Sequence, residues 1–390
     1  MIEKVAEKVT VNEWDIVIVG GGLGGLSLAV ELAQPEYAHL RVLVLEKRAA
    51  YTRDRTWSYW QTQTHRYSGL ERKRWNAWRL SFKGQSAQHN SSHAYCTMDA
   101  DAFYDFAVAQ IALSTHVQLK MNVAVTGVST EPGPTVSLAD GTRLTAAWVM
   151  DARPNPAPLP DALCQHFEGW EVQTNTDCFD DSAVELMNFQ PATNGLHFLY
   201  VLPYGPRQAL VESTWMSAFD HQPNYAAELR EYLRSRYGVT EYQCVYKERG
   251  CLDLQARTRE PAALDGSSRV VALGKAAGTL RASTGFAFLE TISEARRIAQ
   301  CFQGIALADV KVLPYQRDWL DAWMDKIFCD GLKADWPRAP EFFMAMFKGI
   351  SPETWVSFLT GRPSMLQRLQ VSLQLPKRHF LRAVRRVLVG

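Results

Sequence analysis

The hydrophobic pattern is clearest near the start of the chain, where a short apolar run and a longer apolar stretch flank a cluster of glycines. The run covers residues 15–19 and the stretch covers residues 26–33. Their lengths predict a buried parallel strand, a tight turn and a helix. A second apolar run at residues 41–45 predicts the next strand of the same sheet. Together these elements indicate an α/β fold with a parallel sheet.

The glycines of the turn have the spacing of a dinucleotide-binding fingerprint. Gly20, Gly22 and Gly25 fit G-x-G-x-x-G between the predicted strand and helix. The first permits the tight turn, the second lets backbone approach a pyrophosphate, and the third lets helix and strand pack closely. Glu46 ends the second strand, where its carboxylate could accept hydrogen bonds from ribose hydroxyls. We therefore predict a nucleotide site at the N-terminus of the helix.

A later segment has the form expected of a chain that returns to this sheet. An apolar strand at residues 269–274 leads through Gly274 and Gly285 to a helix at residues 286–301. These glycines would let backbone reach a flavin and its pyrophosphate. An ordinary strand, loop and helix is the alternative. We assign residues 1–153 to the first part of a Rossmann-type FAD-binding domain and residues 256–310 to its second part.

The segment between these parts, residues 154–255, has a different texture. Short aromatic and β-branched runs alternate with Pro, Gly and Asn, which predicts an inserted substrate domain with an antiparallel sheet over the cofactor. One run contains Glu212 among strand-forming apolar residues. A buried carboxylate is costly unless it has a partner or a chemical task. Glu212 is therefore either a functional acid or one member of an ion pair with an arginine at the sheet edge.

The remaining residues, 311–390, are predicted to be a helical C-terminal region. An apolar stripe at residues 319–328 is typical of a core helix. After Pro376 the pattern predicts a basic amphipathic helix, which could lie on an anionic bilayer or be a solvated surface helix. Its apolar face comprises Phe380, Leu381, Val384, Val387 and Leu388, and its basic face comprises Arg378, Arg382, Arg385 and Arg386.

Composition narrows the class of protein. The 390 residues are 47% hydrophobic with a formal net charge of +1, which favours a globular protein and disfavours a nucleic-acid partner. The seven scattered cysteines form no C-x-x-C pair, so neither a disulfide framework nor a metal site is indicated. Residues 1–13 do not have the order of a signal peptide, and the uncharged run 16–30 is too short and glycine-rich to span a bilayer. We expect a cytoplasmic protein.

Motifs along nearly the whole chain resemble the bacterial lycopene cyclases of carotenoid biosynthesis. The glycine fingerprint is shared by many flavoproteins, whereas Arg-Thr-Trp-Ser-Tyr-Trp and Leu-Val-Glu-Ser-Thr are far more specific. Tyr59 stands where the family often has Phe, and Ser213 where it often has an acidic residue. The matching segments are residues 20–25, 54–60, 198–203, 209–214, 283–286, 342–343, 358–361 and 375–376.

This resemblance implies a lycopene β-cyclase that uses reduced FAD to form ionone-type rings at the ends of lycopene without net redox change. Glu212 occupies the position of the family's catalytic acid, as proton donor or cation stabiliser. Arg55 would contact FAD or substrate-side backbone, or it is simply paired with Asp54. Cation–π attraction from pocket aromatics is a further expectation. The aromatic candidates are Trp57, Tyr59 and Trp215.

The resemblance also implies linear carotenoids as substrates, NAD(P)H as a candidate electron source, and a peripheral location on the inner face of the cell membrane. It sets neither the oligomeric state nor the number of ends cyclised. The principal rival is a flavin-dependent monooxygenase or isoprenoid reductase, which would consume NAD(P)H with its substrate. Non-catalytic binding of a carotenoid or flavin is a third reading, in which Glu212 has no task.

Overall fold

The computed structural model describes residues 14–131, 133–254 and 265–389. The polar segment 1–13 and the start of the predicted second cofactor segment, 256–264, lie outside the described residues. Within the described ranges the chain folds into two sheets with helices packed against them.

The first sheet contains the apolar runs that predicted a parallel sheet. Its strands, numbered in chain order with those of the second sheet, are β1 (Trp14–Val19), β2 (Val42–Leu45), β6 (Val117–Lys120), β7 (Val125–Ser129), β8 (Thr135–Leu138), β9 (Arg143–Asp151) and β15 (Val270–Ala272). Five of them are parallel in the order β6, β2, β1, β9 and β15, and β7 with β8 forms an antiparallel extension beside β9. The pairing of β15 with β9 confirms that the later segment returns to this sheet.

The second sheet has the strand order β14, β10, β13, β12, β11, β4, β5 and β3. These strands are β3 (Thr56–Trp60), β4 (Lys73–Phe82), β5 (Gln85–Asp99), β10 (Leu163–Gln173), β11 (Val184–Gln190), β12 (Leu196–Gly205), β13 (Gln208–Ala218) and β14 (Gln243–Asp253). All neighbours are antiparallel except β11 and β4. The predicted antiparallel sheet is therefore present.

The strands that form the second sheet correct the predicted boundary between residues 1–153 and residues 154–255. Strands β3, β4 and β5 lie within residues 56–99, which we assigned to the cofactor domain, yet they pair with strands of the second sheet. The second sheet is therefore built from two separate segments of the chain. Strand patterning shows that a segment is half-buried, but it does not show which distant strand is its partner.

Three helices cover the first sheet and bury its apolar core. They are α1 (Leu23–Leu32), α2 (Ala100–Ala112) and α4 (Phe288–Gln300). Helix α1 begins directly at the glycine turn and packs against α4, which follows the returning strand β15. This packing holds the turn rigidly beside the second cofactor segment.

The second sheet has two differently covered faces. Its front face, which carries Phe198 and Leu210, packs against the C-terminal helices; its back face, which carries Val201 and Val211, packs against α3. These helices are α3 (Tyr225–Tyr237), α5 (Trp319–Lys333), α6 (Ala339–Gly349), α7 (Pro352–Leu359), α8 (Met365–Gln374) and α9 (Lys377–Val389). Across the described ranges, each helix is too short or too polar to cross a bilayer.

The basic amphipathic helix predicted after Pro376 is present as α9, but its apolar face is divided. Phe380 and Ala383 are buried against the core, and Arg386 pairs with Asp330 of α5 at 2.7 Å. Leu381 is 65% exposed, and Leu388, near the end of the helix, is 69% exposed. One side of α9 is therefore core, and the other presents leucines to the surface.

Candidate active site

The glycine turn between β1 and α1 forms one end of a large cavity. Gly20 has a φ of +100°, which favours glycine, and it lies against the backbone of Ala152. A Cβ on Gly25 would lie 1.9 Å from the carbonyl oxygen of Gly20, so only glycine fits there. A Cβ on Gly22 would meet nothing within 4 Å, since this residue borders the open cavity. The turn thus leaves space for an anionic group at the positive end of α1.

Glu46 is a buried carboxylate beside this turn. It accepts hydrogen bonds from the backbone N–H groups of Gly21 at 2.7 Å and Arg48 at 2.8 Å. Burial alone would raise the pKa of Glu46, but hydrogen bonds from Arg48 outweigh it and hold the pKa below its usual value. Arg48 also donates to the carbonyl of Gly21 at 2.9 Å. Glu46 is therefore anionic, and Arg48 is a bracing residue that the sequence analysis missed.

The returning segment connects the two ends of the cavity. Gly274 follows β15 and borders the turn, since a Cβ there would lie 3.8 Å from the Cα of Gly24. Gly285 lies against the second sheet, where a Cβ would come within 3.0 Å of Gln165 on β10. Both glycines line the cavity. The segment between them thus passes from the nucleotide end toward the second sheet.

The cavity has a volume of about 1180 Å³ and lies between the glycine turn and the front face of the second sheet. This exceeds the roughly 300–1,000 Å³ of common small-molecule pockets. Its wall near the turn is backbone and charged side chains, whereas its far wall is apolar. The apolar lining includes Trp60, Leu80, Leu186, Met187, Phe198, Met216, Phe286, Met324, Phe328, Phe343, Met346, Trp355, Phe358, Val371 and Leu375. The apolar end is closed largely by the C-terminal helices.

Glu212 is a buried carboxyl group at this apolar end. It lines the cavity from β13, an internal strand between β10 and β12, so the alternative of a sheet-edge ion pair does not describe its position. The group that faces it is another carboxyl, Glu248 of β14. Burial, and secondly the proximity of Glu248, raise the pKa of Glu212 well above its usual value. The protonated form is therefore favoured at neutral pH.

Glu248 also lines the cavity and was missed in the sequence analysis. It is buried and accepts a hydrogen bond from the hydroxyl of Tyr246 at 3.0 Å. Glu248 stands between the charged residues Lys247 and Arg249, so no local sequence signal distinguishes this carboxylate from a solvated one. Only the pairing of β14 with β10 brings it into the cavity.

A cluster of hydroxyl groups lies beside Glu212. Tyr200 is directly opposite Glu212 in the β12–β13 ladder, and its hydroxyl donates to Ser58 Oγ at 2.9 Å. The hydroxyl of Tyr95 lies 2.9 Å from that of Tyr200. All three residues line the cavity. These groups satisfy one another, so they remain neutral and fixed within an apolar wall.

The two predicted aromatic residues of strand β3, Trp57 and Tyr59, differ in their position relative to the cavity. Trp57 lines the cavity, and its ring packs edge-on against Phe103 with centroids 5.3 Å apart. Tyr59 is 2% exposed and is not among the cavity-lining residues. Its ring stacks on Phe288 and its hydroxyl donates to Glu71 at 3.0 Å. Tyr59 is therefore a packing residue beneath the site, and its predicted pocket role is corrected.

The predicted pocket role of Trp215 is corrected as well. Because side chains alternate along a strand, Trp215 points to the face of β13 opposite Glu212. There its ring stacks on His197 with centroids 4.4 Å apart, and its indole donates to Glu228 of α3 at 3.3 Å. Trp215 contributes to the back face of the sheet, outside the cavity lining.

The predicted ion pair of Arg55 is present, whereas its contact with FAD stays a prediction. Arg55 forms an ion pair with Asp54 at 2.9 Å, and it also lines the cavity between the turn and the carboxyl pair. Asp54 in turn contacts Arg48 at 3.3 Å. The arginine thus has a local partner and a position bordering the cavity.

The fold has solved counterparts, at sequence identities that compare the fold alone. A geranylgeranyl bacteriochlorophyll reductase-like protein from Thermoplasma acidophilum superposes with a TM-score of 0.60 at 15% identity, covering 95% of both chains. A flavin-dependent brominase superposes with a TM-score of 0.58 at 14% identity, covering 89% of this chain and 93% of its own. The two sheets, the glycine turn and the helical C-terminal region define a Rossmann-type flavoprotein fold.

Sequence comparison then identifies the family. The family model described as lycopene cyclase protein matches residues 15–385, so the chain belongs to the lycopene cyclase family. A lycopene beta-cyclase from a Paracoccus species is 26% identical over 304 residues, which cover 75% of this chain and 74% of that protein. A chloroplastic lycopene beta cyclase from an Oncidium hybrid cultivar is 24% identical over 386 residues, covering 89% and 78%.

Proposed function

We propose that this protein is a lycopene β-cyclase that closes β-ionone rings at the linear ends of lycopene with reduced FAD bound and without net redox change. The observation that carries the proposal is Glu212. This buried acid has a raised pKa and lies in an apolar cavity continuous with a dinucleotide turn. Family membership provides the substrate class.

The residues at the turn fit FAD. Gly22 leaves open space at the N-terminus of α1 for a pyrophosphate, and the anionic Glu46 lines the cavity where a ribose would lie. When bound in its anionic reduced form, the flavin would supply negative charge that stabilises a substrate cation. Further residues proposed to hold the cofactor are Gly20, Gly25, Arg55, Gly274 and Gly285.

Ring closure requires a proton on a terminal double bond, attack on the resulting cation by the neighbouring double bond, and loss of a proton from C6. We assign the first transfer to Glu212. Burial keeps its proton available near neutral pH, and general acids act best when their pKa lies near the working pH. The carbocation then forms beside a group that has become a carboxylate, which stabilises it.

The hydrocarbon substrate offers no hydrogen-bonding handle, so its orientation must come from shape. The apolar side chains of the front face and of α5 to α8 provide such a wall. Tyr200 and Tyr95 are bonded to each other and to Ser58, so they present no free charge to the cation. Water excluded from this end cannot capture the cation as an alcohol.

The test is carotenoid analysis in a lycopene-accumulating bacterium that expresses the chain. We expect a product of unchanged mass with shifted retention and absorption, and its loss in Glu212→Gln with flavin still bound. Glu185→Gln is the matched control, because Glu185 is a buried strand carboxyl with a raised pKa outside this cavity. Full cyclisation by Glu212→Gln would contradict the proposal.

The same experiment separates the rival functions. A product heavier by oxygen would favour a monooxygenase, and one heavier by hydrogen would favour an isoprenoid reductase. Unchanged lycopene with bound flavin would favour a non-catalytic binding role. We propose NAD(P)H as the electron source for the flavin. Cyclisation after a single reduction, without further NAD(P)H oxidation per product, is the expected result.

We further propose that the protein binds the inner face of the cell membrane through an exposed apolar surface on α8 and α9. Beyond Glu353 the sequence carries seven Lys or Arg residues and no acid, which suits an anionic lipid surface. Helix α8 also contributes Val371 to the cavity lining, so the surface adjoins the proposed substrate site. The exposed apolar residues are Met365, Leu366, Leu369, Leu373, Leu381 and Leu388.

Co-sedimentation with vesicles of phosphatidylglycerol and phosphatidylcholine tests this surface. The double variant Leu369→Asp with Leu373→Asp should bind at least tenfold more weakly than the unaltered protein. Leu113→Asp is the control, since Leu113 is 80% exposed on α2's C-terminal side, away from the patch. Equal binding of the double variant and the control would refute this surface.

A further inference from the structure

The carboxyl groups of Glu212 and Glu248 meet because a glycine lies between them. Gly169 of β10 is the register partner of Glu212 on β13 and also of Glu248 on β14. A Cβ on Gly169 would lie 2.8 Å from the Cγ of Glu212 and 3.3 Å from the Cγ of Glu248. The strands that carry the two acids are separated by one strand, about 10 Å apart. Both side chains thus occupy the space that any other residue at position 169 would fill.

The surroundings of the two carboxyl groups are unequal. Glu248 accepts a hydrogen bond from the Tyr246 hydroxyl at 3.0 Å, and the guanidinium of Arg53 lies 3.8 Å from the centre of the Tyr246 ring. Burial raises the pKa of Glu248, while contacts with Glu212, Tyr246 and Thr56 oppose that rise. Glu212 lies beside Glu248 and the neutral hydroxyl cluster of Tyr200, Tyr95 and Ser58, and no cation among the described residues lowers its pKa. The ionised form is therefore better supported at Glu248, and the proton at Glu212.

We propose that Glu212 and Glu248 hold one proton between them and serve as the acid and the base of a single ring closure. Glu212 gives its proton to the terminal carbon–carbon double bond, and Glu248 takes the proton that leaves C6. The C–H electron pair at C6 becomes the new ring double bond. Transfer of the proton from Glu248 to Glu212 through their direct contact restores the starting state.

This inference rests on the proposed cyclase function. The proposed proton transfers balance without a further reactant. One proton enters the substrate and one leaves it, so substrate and product are isomers. Among the described groups that face the pair, the tyrosines stay neutral because burial raises the pKa of each, and Arg53 is the cation. Arg53 is itself paired with Glu171 at 2.7 Å. These groups are Arg53, Thr56, Tyr95, Tyr200 and Tyr246.

The first test is the pH profile of cyclisation by the flavin-loaded Glu248→Gln variant. We expect at least a 100-fold loss of rate at neutral pH, because an amide cannot take up the C6 proton. The alkaline limb of the residual activity should move to lower pH, since Glu212 loses its anionic neighbour. Glu248→Asp should recover part of the rate and retain the original limb. A Glu248→Gln rate within threefold of wild type, with an unmoved limb, would overturn the pair.

The second test needs no substrate. Infrared spectra of the wild-type protein should show the C=O stretch of one buried protonated carboxyl that persists above neutral pH and is absent in Glu212→Gln. In Glu248→Gln this band should titrate at a lower pH than in wild type. A band with the same titration in both proteins would refute the shared proton. Failure to convert lycopene would instead refute the cyclase function, whatever the infrared result.

A glycine variant tests the geometric basis of the pair. Gly169→Ala should displace both carboxyl groups and lower the cyclisation rate at least tenfold, with the infrared band weakened or shifted. Gly127→Ala is the matched strand control, because a Cβ there meets its nearest atom at an ordinary 3.8 Å. Unchanged rate and band in folded Gly169→Ala would count against the pair.

Discussion

The two ends of the cavity are assembled in opposite ways. The nucleotide end is local: Gly20, Gly22 and Gly25 lie within one short segment at the junction of β1 and α1, and Glu46 directly follows β2 of the same sheet. The carboxyl end draws residues from strands that are far apart in sequence, with β3, β10, β13 and β14 all contributing. The first end depends on backbone shape, and the second depends on which side chains face one another.

This difference teaches where each end is vulnerable. At Gly25, a single added carbon collides with the backbone of Gly20, which cannot move away without separating the strand from the helix. At the carboxyl end, a change of side chain leaves the strand pairing intact. It does alter which carboxyl group holds the proton. Substitutions at the first end should therefore affect folding and cofactor retention, and those at the second should affect rate and pH dependence.

The largest effect is expected from Gly25→Val. Its side chain would begin 1.9 Å from the carbonyl oxygen of Gly20, so α1 must separate from β1. We expect loss of bound flavin and of most folded protein, measured by visible absorbance and circular dichroism on heating. Gly205→Val is the control, because a Cβ at Gly205, at the end of β12, meets nothing within 4 Å. A folded, flavin-loaded Gly25→Val protein would contradict the close-packing role of this glycine.

The next effect concerns an ion-pair cluster under the carboxyl end. Glu171 binds Arg72 and Arg53, each at 2.7 Å, and is 1% exposed. Removing one partner of a buried pair costs about 3 kcal/mol of unfolding free energy. Glu171→Gln should lose about this much in urea unfolding at pH 7. A loss below about 1 kcal/mol would show that the cluster adds little stability.

The same carboxylate predicts a pH dependence of stability. Burial would raise the pKa of Glu171, but Arg72 and Arg53 outweigh it and lower the pKa to about 2. Because this folded-state pKa lies below the unfolded value, the stabilisation is fully present above about pH 4.5 and is lost as the pH falls toward 2. The difference in unfolding free energy between wild type and Glu171→Gln should shrink over this range. A constant difference would exclude Glu171 as the titrating group.

A smaller effect is expected from Glu46→Gln at the nucleotide end. A hydrogen bond to a charged group contributes about 1.5–3 kcal/mol, which corresponds to at least a tenfold weaker FAD affinity. Equilibrium dialysis against FAD measures the change. Glu36→Gln, an exposed carboxylate in the loop after α1, should bind FAD as the wild type does. Unchanged affinity of Glu46→Gln would mean that Glu46 only braces the turn.

The smallest effects are expected from substitutions of two tryptophans. Trp57 lines the cavity, whereas Trp215 lies on the back face of the second sheet. Trp57→Leu should lower the cyclisation rate about fivefold by removing an aromatic face from the cavity. This corresponds to about 1 kcal/mol of activation free energy. Trp215→Leu alters the back face and should leave the rate within twofold. Kinetics with purified, flavin-loaded proteins compare them directly. The reverse order of effects would contradict the separation of the two faces.

Several features of the site were accessible from local patterns. The glycine turn was predicted because its spacing occurs between a strand and a helix that the hydrophobic pattern also predicts. Glu212 was predicted because a carboxylate interrupts an apolar strand. The misplacement of Trp215 had an available signal, since three positions from Glu212 along a strand means the opposite face. Glu248 and Gly169 had no such signal, as each looks ordinary within its own segment.

Residues close together in the chain were enough to predict the parallel βαβ unit, the nucleotide turn and the acid at position 212. Three features depend on the assembled fold: residues 56–99 join the second sheet, the C-terminal helices close the cavity, and Glu212 faces Glu248 across Gly169. Strand pairing and helix packing join distant segments through non-directional burial, which many partners could satisfy. The proposed acid–base pair therefore emerges only when the second sheet is assembled.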